Sequence, residues 1–368
     1  MTGGTRAMLP IVLPVNQFDH FYRGGDRIGA LRHGPGGPQR PEEWIGSTTA
    51  RFGQAPQGLS TLPDGRLLVS AIEADPQAWL GADHVNRYGA STELLVKLLD
   101  LDQRLPVHLH PNRAFARAHL GLAHGKTEAW YVLDAPPGAE VGVGFAETTV
   151  LGQVEAWVAD RDSDALLGAL RRRPVRPGDA MLVPAGLPHS VGAGVFVLEL
   201  QEPTDLSILL EWQGFAVDGA KDGHLDLGFP TALQALDLAA VSPGDLDRLV
   251  LPREEIERAG LASVLPPAAQ GYFRAHRVDT SAGPVSLAAG FAIVLVLDGR
   301  GILASPGGSL EVARGDVVLV PHACGDYSLH GQAKHAAHAP DALVAVVCRP
   351  PAPDALVAEM TEAPGELA

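Results

Sequence analysis

The sequence predicts a mostly β protein made of two small barrels, with helical segments inserted between their strands. Three observations carry this expectation. The 368 residues include 42 glycines and 30 prolines but only 19% charged residues, a balance that favours short apolar strands and frequent turns over long helices. Residues 178–189, GDAMLVPAGLPH, read as a tight turn at Gly178-Asp179, an apolar strand over Ala180–Val183, a second turn at Pro184 to Gly186, and then His189. Finally, residues 312–321 (VARGDVVLVP) nearly copy residues 175–184 (VRPGDAMLVP), and such self-similarity marks a second barrel of the same design.

Residues 1–70 alternate short apolar pieces with Gly/Pro turns, as at 32–41 and 62–65, and read as strands and loops wrapped on the first barrel. Asp75 followed by Pro76 is a helix start, the aspartate a cap and the proline suited to the first helical position. Residues 93–99 lead towards the strand Val107-His108-Leu109-His110-Pro111, after which Asn112 caps a short helix over 112–120. The aromatic and β-branched run at 128–133 is the next core strand. Residues 147–173 have helical spacing; Asp162 or Ser163 starts a second helix there, with Arg171, Arg172 and Arg173 in its last turn, where cations suit the helix dipole. A further helical patch is expected over 231–260, capped by Thr231 and interrupted by Pro243 and Pro252.

His108 and His110 stand at i and i+2, so on a strand both imidazoles project from one face, and that face can be the barrel interior. Together His108, His110, Glu128 and His189 make a three-nitrogen, one-oxygen set suited to Zn²⁺, Mn²⁺, Co²⁺ or Fe²⁺. Lys126, two positions before Glu128, projects to the same face, where its charge can steady an anionic intermediate or its ammonium can transfer a proton. In the second copy Asp326 takes the place of His189, and the strand over 291–297 has no His-x-His, so that barrel is expected to be metal-free. The expected organisation is a metal-binding barrel with helical insertions over 1–265, a degenerate metal-free barrel over 266–352, and a C-terminal tail over 353–368.

Residues 178–189 fit G-x5-P-x-G-x2-H, the second motif of the cupins, at every specified position, and this resemblance implies jelly-roll (cupin) barrels. Residues 95–111, the run Gly125-Lys126-Thr127-Glu128-Ala129-Trp130-Tyr131 and residues 178–194 are similar, in order and spacing, to the three signature regions of the class I mannose-6-phosphate isomerases. Glu42-Glu43-Trp44-Ile45-Gly46-Ser47 is similar to that family's Glu-x-Trp-x-x-Ser stretch. The resemblance implies that His108, His110, Glu128 and His189 hold a divalent cation, with zinc first in order, and that mannose 6-phosphate and fructose 6-phosphate are interconverted through an enediolate.

Such a reaction needs a cation on O1 or O2 of the sugar and a base with a near-neutral pKa. Lys126 is one candidate. Glu211, which takes the place of a family aspartate, is the other; His124 and Arg23 stand behind them unranked. Three departures bear on the substrate. His108 replaces a family glutamine, Pro106 replaces a serine close to the substrate phosphate, and Ile208 or Leu209 replaces an active-site arginine, where an aliphatic side chain holds no phosphate. Arg113, Arg274 and Lys221 are the candidates to fill that gap. Alternative readings are an isomerase of an unphosphorylated or differently substituted sugar, an Fe²⁺ cupin oxygenase, and a non-catalytic sugar-binding cupin.

A formal charge of -15, from 28 basic and 43 acidic residues, repels nucleic acid and anionic lipid, so any phosphate site has to be a local basic pocket. No stretch reaches the roughly 18 apolar residues of a membrane span, and residues 1–10 lack a signal-peptide core. Cys324 and Cys348 are too few for a disulfide framework, which points to a reducing compartment. The expected setting is therefore cytoplasmic, with a small sugar or sugar phosphate as partner, no nucleic acid or membrane, and a monomer or homodimer.

Overall fold

Each barrel is a pair of facing antiparallel sheets, and the computed structural model describes residues 8–332 and 342–355 of them. Most of the tail expected over 353–368 lies outside the described residues. In the first barrel one sheet orders its strands Val250–Leu251, Ala180–Val183, Glu128–Asp134, Phe196–Gln201, Leu95–Asp100 and Glu42–Ile45. The facing sheet orders Ile208–Leu209, His108–Leu109, His189–Val191, Glu140–Phe145 and Leu170–Pro174.

The second barrel repeats the plan. Ile11–Val12, Val317–Val320, Ala292–Asp298, Val344–Arg349, Arg274–Asp279 and Gly260–Ser263 face Val285–Leu287, Tyr327–Gly331, Arg300–Ser305 and Gly308–Ala313. The near copy in the sequence marks the same strand of both barrels, Ala180–Val183 and Val317–Val320. The mostly β class and the paired barrels are as the sequence predicts. Both end strands of the second barrel's larger sheet come from before residue 266: Ile11 and Val12 pair with Leu319 and Val318, and Gly260–Ser263 pairs with the Arg274–Asp279 strand.

Strand alternation decides which side chains see which layer. On Phe196–Gln201, Leu198 and Leu200 join Val96, Leu98, Ala129 and Tyr131 against Ile293, Leu295, Leu319 and Val346 of the second barrel. Val197 points the other way, into the first lumen, with Leu99, Trp130 and Val132. The two larger sheets thus lie back to back, covered on both faces, which explains their nearly continuous apolar strands. Inserted helices Leu151–Asp160 and Ser163–Ala169 cover the outside of the smaller first-barrel sheet, packing Val154, Val158 and Leu166 near Val107, Leu109 and Ile208.

Three helix caps are placed as the sequence predicts. Asp75, Asn112 and Asp162 accept from the amides of Ala78, Phe115 and Ala165. Two expectations are corrected. Arg171, Arg172 and Arg173 lie on the strand Leu170–Pro174 rather than in a helical turn, because pairing with Glu140–Phe145 satisfies their backbone at the sheet edge. The patch over 231–260 is broken into Phe229–Ala232, Pro243–Arg248 and Arg253–Ile256. The first starts at Phe229, with Thr231 inside it rather than at its cap, and the side-chain cap is Ser242 on the second, in a reciprocal box with Asp245. Among the described residues no helix is long and apolar enough to cross a membrane.

Phe273 is fully buried in the apolar layer between the barrels. Phe273→Ala is expected to lower the unfolding free energy by about 3–5 kcal/mol in urea titrations, and a loss under about 1 kcal/mol would contradict the packing described.

Candidate metal centre

His108 and His189 are direct cross-strand partners, and His110 follows His108 on the same side of the chain. All three are buried, with ligand nitrogens within 4.8 Å of one another. Each ring is oriented by its other nitrogen. Nδ1 of His108 lies 2.8 Å from the Pro106 carbonyl, that of His110 2.7 Å from Leu206 and that of His189 2.9 Å from Leu187. A carbonyl only accepts, so each Nδ1 carries the proton and donates, and each Nε2 is left as a lone pair.

Glu128 closes the set from the opposite sheet. Its Oε2 is 2.9 Å from His110 Nε2 and its Oε1 3.4 Å from His189 Nε2, while Trp130 Nε1 donates to Oε1 at 3.0 Å. Lys126 Nζ comes within 3.0 Å of Glu128 Oε2, as an ion pair without hydrogen-bond alignment, and within 2.9 Å of His110 Nε2. His189 Nε2 and Glu128 Oε2 are buried without a hydrogen-bond partner. Leaving such groups unsatisfied costs about 1–3 kcal/mol each, and ligation of a cation would relieve it. The donor set therefore fits a divalent metal, with a carbonyl behind every imidazole, as metal-binding histidines have.

The electrostatics agree. Burial, then the neighbouring His189, His110 and Lys126, hold His108 well below the usual imidazole range; burial and Lys126 bring His110 down to about 3. Burial opposes ionisation of Glu128, but Lys126 and His110 outweigh it and keep the carboxyl well below its ordinary value. Neutral imidazoles and an ionised carboxylate are the forms that bind metal.

Beside this set is a cavity of about 110 Å³, lined by His108 and Lys126 and, beyond them, by Lys97, Glu199, Glu42, Asp205, Arg51 and Leu209. Lys97 and Glu199 are register partners on adjacent strands. Lys97 Nζ lies 3.6 Å from Glu199 Oε1, 3.6 Å from Glu42 Oε2 and 3.9 Å from Asp205 Oδ1, and 4.5 Å above the Trp44 ring. Burial alone would lower the lysine, but these carboxylates raise it; burial and then the Glu128 charge push Glu199 up to about 7. Sequence reasoning missed both residues. The available signal was a charge in the middle of an apolar run, Lys97 in LVKLL and Glu199 in FVLEL.

The structure brings together His108, His110, Glu128, His189 and Lys126. It does not bring Glu211, which is a correction. That side chain is fully buried outside the cavity lining, where Oε1 accepts from Arg104 and the Val107 amide and Oε2 from Ser163. A carboxylate pinned by three donors has no reach to a substrate, and through Val107 it anchors the strand that carries His108. His124 pairs with Glu93 at 3.0 Å, and Arg23 is exposed beside Asp102; neither lines the cavity. None of Arg113, Arg274 and Lys221 fills the arginine gap: Arg113 binds Glu202, Arg274 belongs to the second barrel, and Lys221 is exposed beside Asp222. Of Ile208 and Leu209, Leu209 faces the cavity, and the guanidinium there is that of Arg51.

Mannose-6-phosphate isomerase ManA of Bacillus subtilis is 30% identical to this chain over 243 residues, 66% of this chain and 73% of the relative. The chain belongs to the mannose-6-phosphate isomerase family. This makes it an isomerase. A family model for the mannose-6-phosphate isomerase cupin domain matches residues 267–340, and the mannose-6-phosphate isomerase of Streptococcus mutans is 29% identical over 286 residues, 75% of this chain and 83% of that one. Among solved structures, the mannose 6-phosphate isomerase of Bacillus subtilis superimposes with a TM-score of 0.71 at 23% identity, covering 93% of this chain and 100% of that chain. A phosphomannose isomerase from Salmonella typhimurium gives 0.69 at 15% identity, with 94% and 100% covered.

Within this isomerase fold the histidine cluster and Glu211 should separate cleanly by metal content. After dialysis, elemental analysis is expected to find a stoichiometric divalent cation in the parent chain and in Glu211→Gln, but close to none in His110→Ala or His189→Ala. Retention of metal by both histidine variants would contradict the assignment of the cluster.

Proposed function

We propose that this chain is a metal-dependent aldose-ketose isomerase interconverting mannose 6-phosphate and fructose 6-phosphate. His108, His110, Glu128 and His189 hold its divalent cation, zinc first and manganese, cobalt or iron as alternatives. One observation carries the reading: three Nε2 lone pairs, each fixed by an Nδ1–H bond to a backbone carbonyl, converge beside a buried carboxylate, next to a cavity lined by His108, Lys126, Lys97 and Glu199. The activities named for the Bacillus subtilis and Streptococcus mutans relatives support the substrate pair.

A divalent cation held by His108, His110, Glu128 and His189 would supply Lewis-acid stabilisation of negative charge on the sugar oxygens. The chain's own residues do the rest. Glu199, with a buried Oε1 lacking a hydrogen-bond partner, takes the proton from C2 as a carboxylate and returns it at C1. Lys97 stays charged opposite it and fixes its orientation. Lys126 gives a proton to O1 as negative charge grows there and recovers one from the C2 hydroxyl, so that C1 becomes the alcohol and C2 the ketone. Arg51, partly held by the Asp19 carbonyl and Gln57, meets the phosphate in place of the missing family arginine. Glu211 positions the His108 strand. The catalytic barrel lies within 1–265, residues 266–352 together with the edge strands Ile11–Val12 and Gly260–Ser263 form a metal-free barrel behind it, and the enzyme works in the cytoplasm.

A second reading is favoured by Leu209, which puts an aliphatic group at the cavity wall where phosphate recognition would use a cation. In it the substrate is an unphosphorylated sugar. Purified chain loaded in turn with Zn²⁺, Mn²⁺ and Co²⁺ is expected to convert mannose 6-phosphate to fructose 6-phosphate with a higher kcat/KM than it shows for mannose. Preference for the free sugar selects the second reading, and no turnover of either removes both.

The role of Glu199 has its own pH signature. Its carboxyl must be ionised to act, so kcat/KM is expected to rise with pH through a limb above the ordinary carboxylate range, where burial holds the group. Glu199→Gln should lose most activity, and its residue should lack that limb. An unchanged limb in the variant assigns the proton transfer elsewhere.

A further inference from the structure

The two barrels share a strand plan, so positions in the first can be matched to positions in the second through their pairings. Val183 pairs with Glu128, and its counterpart Val320 pairs with Ala292, so an alanine stands where the first barrel has its metal-facing carboxylate. Gln201 lies opposite Leu95, as Arg349 lies opposite Arg274; Glu199 lies opposite Lys97, as Val347 lies opposite His276. The second barrel has therefore exchanged Glu128, Glu199, Gln201, Leu95 and Lys97 for Ala292, Val347, Arg349, Arg274 and His276. It has lost both carboxylates and gained two guanidiniums.

These cations are not neutralised by the fold. Arg349 is only 8% exposed, and its Nη2 donates to the Ala288 carbonyl at 2.6 Å and to Tyr327 Oη at 3.0 Å, while its Nε is buried without a partner. Arg274 donates to the Pro350 carbonyl at 2.9 Å. Neither forms an ion pair among the described residues; Asp354, which is exposed, is the carboxylate whose field reaches Arg274, and Asp326 is occupied by the Ala289 amide. Like charges directly opposite on paired strands destabilise a sheet. A side chain at Gly290 would approach Arg349 Nη1 to 3.2 Å, so the glycine leaves room against that nitrogen. Arg274 and His276, on the strand beside Arg349, are partly exposed.

We propose that this mouth of the second barrel is a binding site for a phosphate group, free or carried on a small sugar, gripped by Arg349, Arg274 and His276. Two guanidiniums and an imidazole supply fixed donors on one face, and a doubly charged anion between them replaces mutual repulsion with attraction. Burial and the facing Arg349 pull Arg274 below its usual value, and burial with both arginines brings His276 down to about 4, as a cluster awaiting an anion should. The site stands apart from the isomerase reading, which concerns the other barrel.

The test uses full-length, metal-stripped chain carrying His108→Ala, so that the first barrel's centre contributes no metal-dependent binding. Calorimetric titration with inorganic phosphate and, separately, mannose 6-phosphate is expected to show a saturable site, with Arg274→Gln and His276→Gln each weakening it about ten-fold, the usual scale for a lost charge-assisted bond. Equal affinity for the two probes would mean that only the phosphate is read; tighter mannose 6-phosphate would mean that the sugar is read too. Nuclear magnetic resonance should show the His276 pKa rising from about 4 as phosphate binds. Because these two side chains are partly exposed, both variants keep the fold, and in the His108 background restored to histidine they keep isomerase activity. Absence of saturable binding of both probes, or binding unchanged in both variants, overturns the proposal.

Discussion

Three hydrogen bonds from imidazole Nδ1–H groups to main-chain carbonyls orient the ring nitrogens that the first barrel offers to a cation. Two of the acceptors, Pro106 and Leu187, lie two residues before the histidines they hold, so local backbone shape fixes those rings. The third, Leu206, leads into the strand that pairs with His108–Leu109, so the seating of His110 depends on that strand. Rings fixed in this way present lone pairs rather than N–H groups to the lumen. Pro106, which departs from the family's serine, loses a hydroxyl but keeps the carbonyl on which His108 depends.

The same plan carries opposite electrostatics in its two copies. Where the larger sheets meet, Leu198, Leu200, Ile293 and Leu295 form a shared apolar layer and both barrels are covered in the same way. Their lumens differ by single substitutions at matched positions: carboxylates and lysines around the histidines of one, arginines and a histidine in the mouth of the other. A lumen with a buried carboxylate and lone pairs attracts a cation, and one with unpaired guanidiniums attracts an anion. The fold is common to both, and the chemistry belongs to a handful of side chains.

Much of the architecture was legible in the sequence because its signals are local. The i, i+2 spacing of His108 and His110, the turn-strand-turn block ending at His189 and the copied segment at 312–321 each need only a few consecutive residues. The caps at Asp75, Asn112 and Asp162 are of the same kind. What escaped the reading depends on neighbours distant in the chain. Glu211 reads as a surface acid or a base until Arg104, Val107 and Ser163 are seen around it. Lys97 and Glu199 become a pair only when sheet order sets Leu95–Asp100 beside Phe196–Gln201. Arg171 to Arg173 fit a helix end equally well until the open edge of Glu140–Phe145 claims them.

Four side chains from three separated segments would share one cation through Nε2 and carboxylate oxygen. X-ray absorption spectroscopy of zinc-loaded chain measures that directly. The expected result is imidazole nitrogens at about 2.0–2.1 Å from the zinc with oxygen completing its coordination, and one nitrogen fewer in His189→Ala. A shell of oxygens alone, or one unchanged by that substitution, would contradict it.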